Sequence, residues 1–533
     1  MDHRSLLAGF AALLVSAGGA LAHDDHAGHA GQDKVGTVRF ANSCAPAVQA
    51  DLARGVAMLH SFWYGAGEET FRAVLARDPG CAVAAWGIAS LLMQNPLAGV
   101  GATPQGAAQA QAAIDQGRAA GAKTQRERDY IEAVAAYYQD FAARPERERQ
   151  ASRAKAFEAL AARYPDDDEA QILSALYIAG TQSQADQTYA AYARAAAILE
   201  REAAKYPDHP GISHYLIHVY DAPPLAAQGL PAARKYAGLA PDAPHALHMP
   251  SHIFTRVGAW ADSAATNERS FHSAIRGREL PEAYHATDYA VYAELQLARD
   301  AAALAAMQRA LAVTVPANAG PVVAYPSAAM PARYAAERGD WTAAARLVPP
   351  AEGPAFTQAL SWYAKALGAA RSGQPALAEQ ATAELAARQQ ALLAAGNAYW
   401  AREVEIQQRA ATAWIAFARR DTDAALRLMR EAADLEDRNE KHIVTPGRIL
   451  PARELLGDML LDAGQPAAAL REYEASQQRE PNRFRGFAGA ARAAAAAGEA
   501  EKAAAHYQGL LVLAGTADTP RPEIAQARAF LAR

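Results

Sequence analysis

The sequence predicts an all-α chain of stacked helical hairpins, roughly ten to twelve of them. Three observations point there. The chain is 51% hydrophobic and rich in alanine, with few β-branched residues, a composition that favours helix. Segments such as Gln125 to Phe141 and Asp186 to Tyr206 place apolar residues at helical rather than strand spacing. Small residues, an aromatic and a proline also recur at fixed offsets, as a helical repeat requires.

Taken in order, the chain opens on a secretory pattern. His3 and Arg4 precede the apolar run Leu6 to Val15, and Ala20-Leu21-Ala22 is a small-x-small cleavage site. Residues 1–22 therefore read as a signal peptide too short to span a bilayer, with an exported chain, periplasmic or secreted, starting near His23. No later segment approaches a continuous membrane span. Residues 23–43 begin with HDDHAGHAG, too polar and glycine-rich to pack, so a disordered tail is expected. Its His23, His26 and His29 suit weak Cu²⁺ or Zn²⁺ capture. Cys44 and Cys81 are the chain's 2 cysteines. They lie just before the first expected helix and just after the second, and outside the cytoplasm such ends of a hairpin are expected to be bridged. The net charge of −5 is spread along the chain, so nothing suggests a nucleic-acid surface and no nucleic-acid partner is expected.

The repeat is clearest near the C-terminus. Gly457, Gly464, Ala469, Tyr473 and Pro481 have the spacing of a tetratricopeptide unit, and Gly498, Ala503 and Tyr507 follow 34 residues after their counterparts. Upstream, Phe71 with Pro79, Phe157 with Pro165, Gly339 with Ala344, Gly373 with Ala378, and the Gly258-Ala259-Trp260 turn repeat parts of it. The reading divides the chain into an N-terminal array over 44–314, a proline-rich break over 315–331 and a C-terminal array over 332–533. His442 to Pro451 interrupts the second array as an inserted loop.

On these residues the chain resembles the tetratricopeptide-repeat superfamily. More narrowly, it is similar to a group of exported bacterial repeat proteins carrying segments like MLHSFWY, HPGISHYLIHVYD, HALHMPSHIF and EKHIVTPGRILPARELLGD, here Met58 to Tyr64, His209 to Asp221, His245 to Phe254 and Glu440 to Asp458. Met58 stands where leucine is expected. The resemblance covers nearly the whole exported chain and implies the fold; it implies no activity. It also implies that the early positions of each first helix line a concave groove that takes ligands.

Function is read from the histidines. Of the 15 in the chain, eight fall between His209 and His285. His214 and His218 are one helical turn apart, as are His248 and His252, and the second pair follows the first by 34 residues, one repeat period. His245 precedes the second pair. Asp221 lies a turn beyond His218, and His285 with Asp288 and Tyr289 shares a face of the next helix. His214, His218, His245, His248, His252, His285 and Asp221 are thus the candidate ligands of a transition metal, Zn²⁺ or Cu²⁺ in the absence of thiols, with Fe and Ni as further options. Pro250 either starts or kinks a helix, and a start there would separate His248 from His252.

Two other readings stand beside this one. A metal-free scaffold would bind a peptide or protein partner in the groove through the same polar side chains. A metal-dependent enzyme would use an open coordination position near Tyr215, Tyr220 or Tyr289. No HExxH, GxSxG, phosphate-loop or dinucleotide motif is present. His60, beside Phe62, Trp63 and Tyr64, is expected to pack in the core, and His442 and Glu454 flank the inserted loop within reach of the groove.

Overall fold

Alanine-rich helices follow one another from Gln49–His60 to Pro522–Leu531, and no strand occurs among the described residues. The structure, a computed structural model, describes residues 33–99, 101–316 and 320–533. The expected signal peptide and His23, His26 and His29 lie outside them. Lys34–Arg533 forms one folded unit, a tetratricopeptide-like superhelix of paired antiparallel helices.

The repeat markers have a packing cause. Tyr473 is buried between Gly457 and Gly489, where an added Cβ would fall 2.8 and 2.2 Å from its ring. Phe71 is held in the same way by Gly55 and Gly87, at 2.9 and 2.5 Å. At both ends of the chain, missing side chains on two helices make room for the aromatic of a third. Gly258, Gly339, Gly373, Gly464 and Gly498 have φ between 65° and 81°, the left-handed turn that closes one helix before the next begins.

Cys44 and Cys81 are bridged, with their Cα atoms 4.7 Å apart. Two expectations need correction. Residues 34–43 are packed: Val35 and Phe40 are buried, and Phe40 stacks on Trp86 with ring centroids 5.1 Å apart. Trp86 and Tyr130, on the helices Ala82–Leu92 and Gln125–Tyr138, give this stretch an aromatic anchor that polar composition concealed. Within the expected proline-rich break, the helix Pro321–Glu337 runs through Pro326 and Pro331. Its buried Val323, Tyr325 and Met330 supply the packing that offsets the missing N–H groups.

The superhelix folds back on itself. Trp260 donates its indole N–H to the Asn482 carbonyl at 2.7 Å, and a Cβ on Gly258 would lie 2.5 Å from the Pro481 carbonyl oxygen. The inserted segment enters the first array, where Ile443 joins the core. Arg333, itself buried, holds that segment by donating to the Arg448 and Gly447 carbonyls at 2.6 and 3.2 Å.

Candidate metal centre

Four short stretches position the histidines: Pro210–Tyr220, Pro244–His248, Pro250–Arg256 and Leu280–Gln296, with Trp260–Arg276 packed behind the last three. Pro210 begins its helix at a position where its absent N–H costs nothing. One helix ends at His248 and the next begins at Pro250, yet the turn between them does not swing the second pair apart. Met249 keeps helical φ and ψ of −52° and −37°, so the chain kinks at Pro250 while His248 and His252 stay on one face. Gly211 sits against His60, and a Cβ there would lie 2.5 Å from the imidazole Nδ1. That closeness lets the His60 carbonyl reach His214.

The side chains form two groups. His214, His218 and His245 each offer a donor atom within 4.8 Å of the others, and so do His248, His252 and His285. The expected single meeting point is thus two adjacent ones. Within each pair the Nε2 atoms face each other: His214 and His218 at 3.0 Å, His248 and His252 at 3.0 Å.

The outer nitrogens decide what those contacts mean. His248 donates Nδ1–H to Asn267 Oδ1 at 2.7 Å, and Asn267 is oriented by donating its own amide to the Ser263 carbonyl at 2.7 Å. His252 donates Nδ1–H to Asp221 Oδ2 at 2.8 Å. Each neutral ring has one proton, and both are spent. Two bare Nε2 lone pairs therefore point at each other in a dry interior. A shared cation resolves that conflict: nitrogens bound about 2.0–2.1 Å from one ion lie about 2.9–3.4 Å apart at coordination angles of roughly 90–110°.

The first group is built alike. His214 donates Nδ1–H to the His60 carbonyl at 2.6 Å, leaving its Nε2 bare. His245 donates Nδ1–H to Glu282 at 3.0 Å, and its buried Nε2 has no hydrogen-bond partner. His218 could give its proton to His214, but its Nδ1 would then be a buried orphan. Outer acceptors that fix ring and tautomer are the usual support of metal-binding imidazoles.

Burial holds His214, His218 and His285 well below the ordinary imidazole pKa and His248 at about 3. It also lowers His252, outweighing the pull of Asp221. All five rings are neutral at physiological pH, the state a metal requires. Asp221 is set behind His252: Oδ1 accepts from Arg256 at 2.7 Å and Oδ2 faces Lys441 at 3.4 Å, so it supports a ligand instead of serving as one. Burial alone would raise its pKa, but Lys441, Arg256 and His252 hold it below the carboxylate range.

The expected open groove is closed here. His214 and His248 are 0% exposed and His218 and His252 2%. On one side the Phe62 ring covers the first group, with centroids 4.5, 6.0 and 5.6 Å from those of His214, His218 and His245. On the other, the inserted segment seals the second group: Arg256 pairs with Glu440 at 2.9 Å, and Tyr289 donates to the Thr445 carbonyl at 3.0 Å.

His60 is buried, as expected, and it is also bonded to Glu169 at 2.8 Å and to Tyr215 at 2.8 Å. Asp288 points elsewhere, 3.6 Å from Arg333. His442 stacks on Trp400 at 5.1 Å, and Glu454 pairs with Arg483 at 2.7 Å; neither joins a histidine group. Sequence reasoning missed Glu282, Asn267 and the Glu440–Lys441 pair. Only Glu282, one turn before His285, carried a signal.

No protein-family model matches the chain, and no curated protein does. Among solved structures it is similar to a tetratricopeptide repeat protein from Parabacteroides merdae, at 14% identity over 54% of this chain and 99% of that one, TM-score 0.29. It is also similar to a chain of the APC/C hetero-tetramer Cut9–Hcn1, at 12% over 90% and 96%, TM-score 0.27, and to yeast Tom70, at 11% over 91% and 96%, TM-score 0.33. Similarity this distant bears on neither site nor activity. The helix pairing and the glycine–aromatic packing carry the fold assignment by themselves.

Proposed function

We propose that this chain is a tetratricopeptide-type scaffold that holds a transition-metal centre of two adjacent three-imidazole sites, His214/His218/His245 and His248/His252/His285, suited to copper or zinc. One observation carries the metal reading: the Nε2 atoms of His248 and His252, 3.0 Å apart, with both Nδ1 protons already given away. The bridged Cys44 and Cys81 support an exported setting, in keeping with the exported bacterial group that the motifs resemble. Among the described residues no helix is long and apolar enough to cross a membrane. The test is elemental analysis of the purified chain before and after reconstitution. Two ions per chain are expected, and one in His285→Gln. Sub-stoichiometric metal in all samples refutes the metal reading.

The scaffold role concerns a different surface. In the C-terminal repeats a 560 Å³ cleft is lined by Trp341, Arg371, Trp414, Phe417 and Asp462, with the Arg371 guanidinium 4.2 and 4.0 Å from the two indole centroids. Trp414 is buried at the back of the cleft, while Trp341, Phe417 and Asp462 keep surface open, a mix of aromatic and charged groups that suits a peptide partner. Photo-crosslinking from position 417 would capture one; no adduct from native extract counts against this role.

A further inference from the structure

We infer that the two three-imidazole groups work as one dinuclear copper centre that binds dioxygen between its ions, a conclusion that rests on the metal reading above. Position is the first support. The ring centroids of His218 and His252 are 5.8 Å apart, and those of His245 and His248 5.9 Å. These cross-group spacings are no larger than His218 to His245 at 6.5 Å or His252 to His285 at 6.1 Å within a group. The two groups adjoin ring to ring, so ions held by them would be neighbours.

Charge is the second. All six donors are imidazoles, none of which brings a negative charge, and the chain's two cysteines are consumed by the disulfide. Around the rings lie the carboxylates of Asp221, Glu282 and Glu440 and the cations of Arg256 and Lys441, which leaves one negative charge. Two divalent ions would strand a large positive charge in a dry interior. Two Cu⁺ ions leave one positive charge where two divalent ions leave three, and imidazole sets accept copper readily. Zinc has no monovalent state to offer.

Access is the third. With five of the rings at most 8% exposed, His245 at 12%, and Phe62 and the inserted segment closing both sides, a peptide or sugar is excluded. A neutral diatomic molecule asks for the least space and brings no charge. Three imidazoles on each ion leave a coordination position for it.

The step balances without an outside reductant or proton. Each Cu⁺ gives one electron and becomes Cu²⁺; dioxygen takes both, its O=O double bond becomes a single bond, and the resulting peroxide bridges the ions. The total charge of the centre is unchanged, so the surrounding residues face no new charge on binding. Reversal returns dioxygen and two Cu⁺.

The experiment loads the whole disulfide-bonded chain with Cu⁺ under anaerobic conditions, counts copper, and then admits dioxygen. Expected are two coppers per chain, one dioxygen consumed per two coppers, an intense new near-ultraviolet band, and no Cu²⁺ paramagnetic resonance signal, because the two spins pair through the bridge. His245→Gln and His285→Gln, each checked for helical content by circular dichroism, should abolish uptake; any copper they retain should become paramagnetically visible on oxidation. Two coppers bound with no dioxygen consumed, or with the full signal of isolated Cu²⁺, overturns this inference and leaves the metal centre standing. Failure to bind copper at all overturns it together with the metal reading.

Discussion

Mild acid should loosen the chelator-treated protein around its histidines. His248 has its pKa held at about 3 by burial, against about 6.5 in an unfolded chain. Between those values the unfolded chain binds a proton that the folded one refuses, so stability is full above pH 6.5 and falls as pH drops toward 3. At pH 5 the gap is 1.5 pH units below 6.5, which at about 1.4 kcal/mol per unit costs about 2 kcal/mol for this ring. His214, His218 and His285, also lowered, act in the same direction. Asp221 lies below its ordinary range, so its stabilising contribution is fully present at pH 5 and above and adds no pH dependence in this window. Long repeat arrays open in parts, so the assay is amide hydrogen exchange in Pro210–Tyr220 and Pro244–Arg256, corrected for intrinsic rates. Opening free energies in these helices should fall by at least about 2 kcal/mol between pH 7.5 and 5, and His248→Asn should lose part of that dependence. Equal values at both pH values would mean that the rings accept protons in place, and the buried, neutral donor set would be refuted.

Asp221→Asn should weaken metal binding about 10- to 100-fold by removing the carboxylate behind His252; competition against a chromophoric chelator measures it, and an unchanged affinity would separate Asp221 from the centre. Gly489→Ala puts a methyl 2.2 Å from the Tyr473 ring and should destabilise the C-terminal repeats by about 1–3 kcal/mol, read from urea unfolding. Cys81→Ser opens a link across 37 residues and should cost the first hairpins up to about 4 kcal/mol. Reductant should reproduce that loss in the parent and have no effect on the variant.

The repeat was legible because its cause is local. Glycines such as Gly464 and Gly498 mark turns, and Tyr473 announces the gap between two small residues. The HxxxH pairs were legible for the same reason, since helical spacing alone sets each pair on one face. What escaped detection depends on the path of the chain in space. Glu440 and Lys441 reach Arg256 and Asp221 from about two hundred positions away, and no periodicity links them. That return path also turns an expected open groove into a sealed interior. Asn267 and the His60 carbonyl act through a single acceptor atom each, which leaves no trace in residue spacing. Pro326 and Pro331 read as a break because propensity is local, whereas the packing of Tyr325 and Met330 that overrides it is not.

Diffraction from metal-loaded crystals at the copper absorption edge tests the central claim most directly. The account predicts two anomalous peaks per chain, one about 2 Å from nitrogens of His214, His218 and His245 and one equally close to those of His248, His252 and His285. A map with no peak among these rings, while His248 and His252 keep their Nε2 atoms 3.0 Å apart, would contradict it.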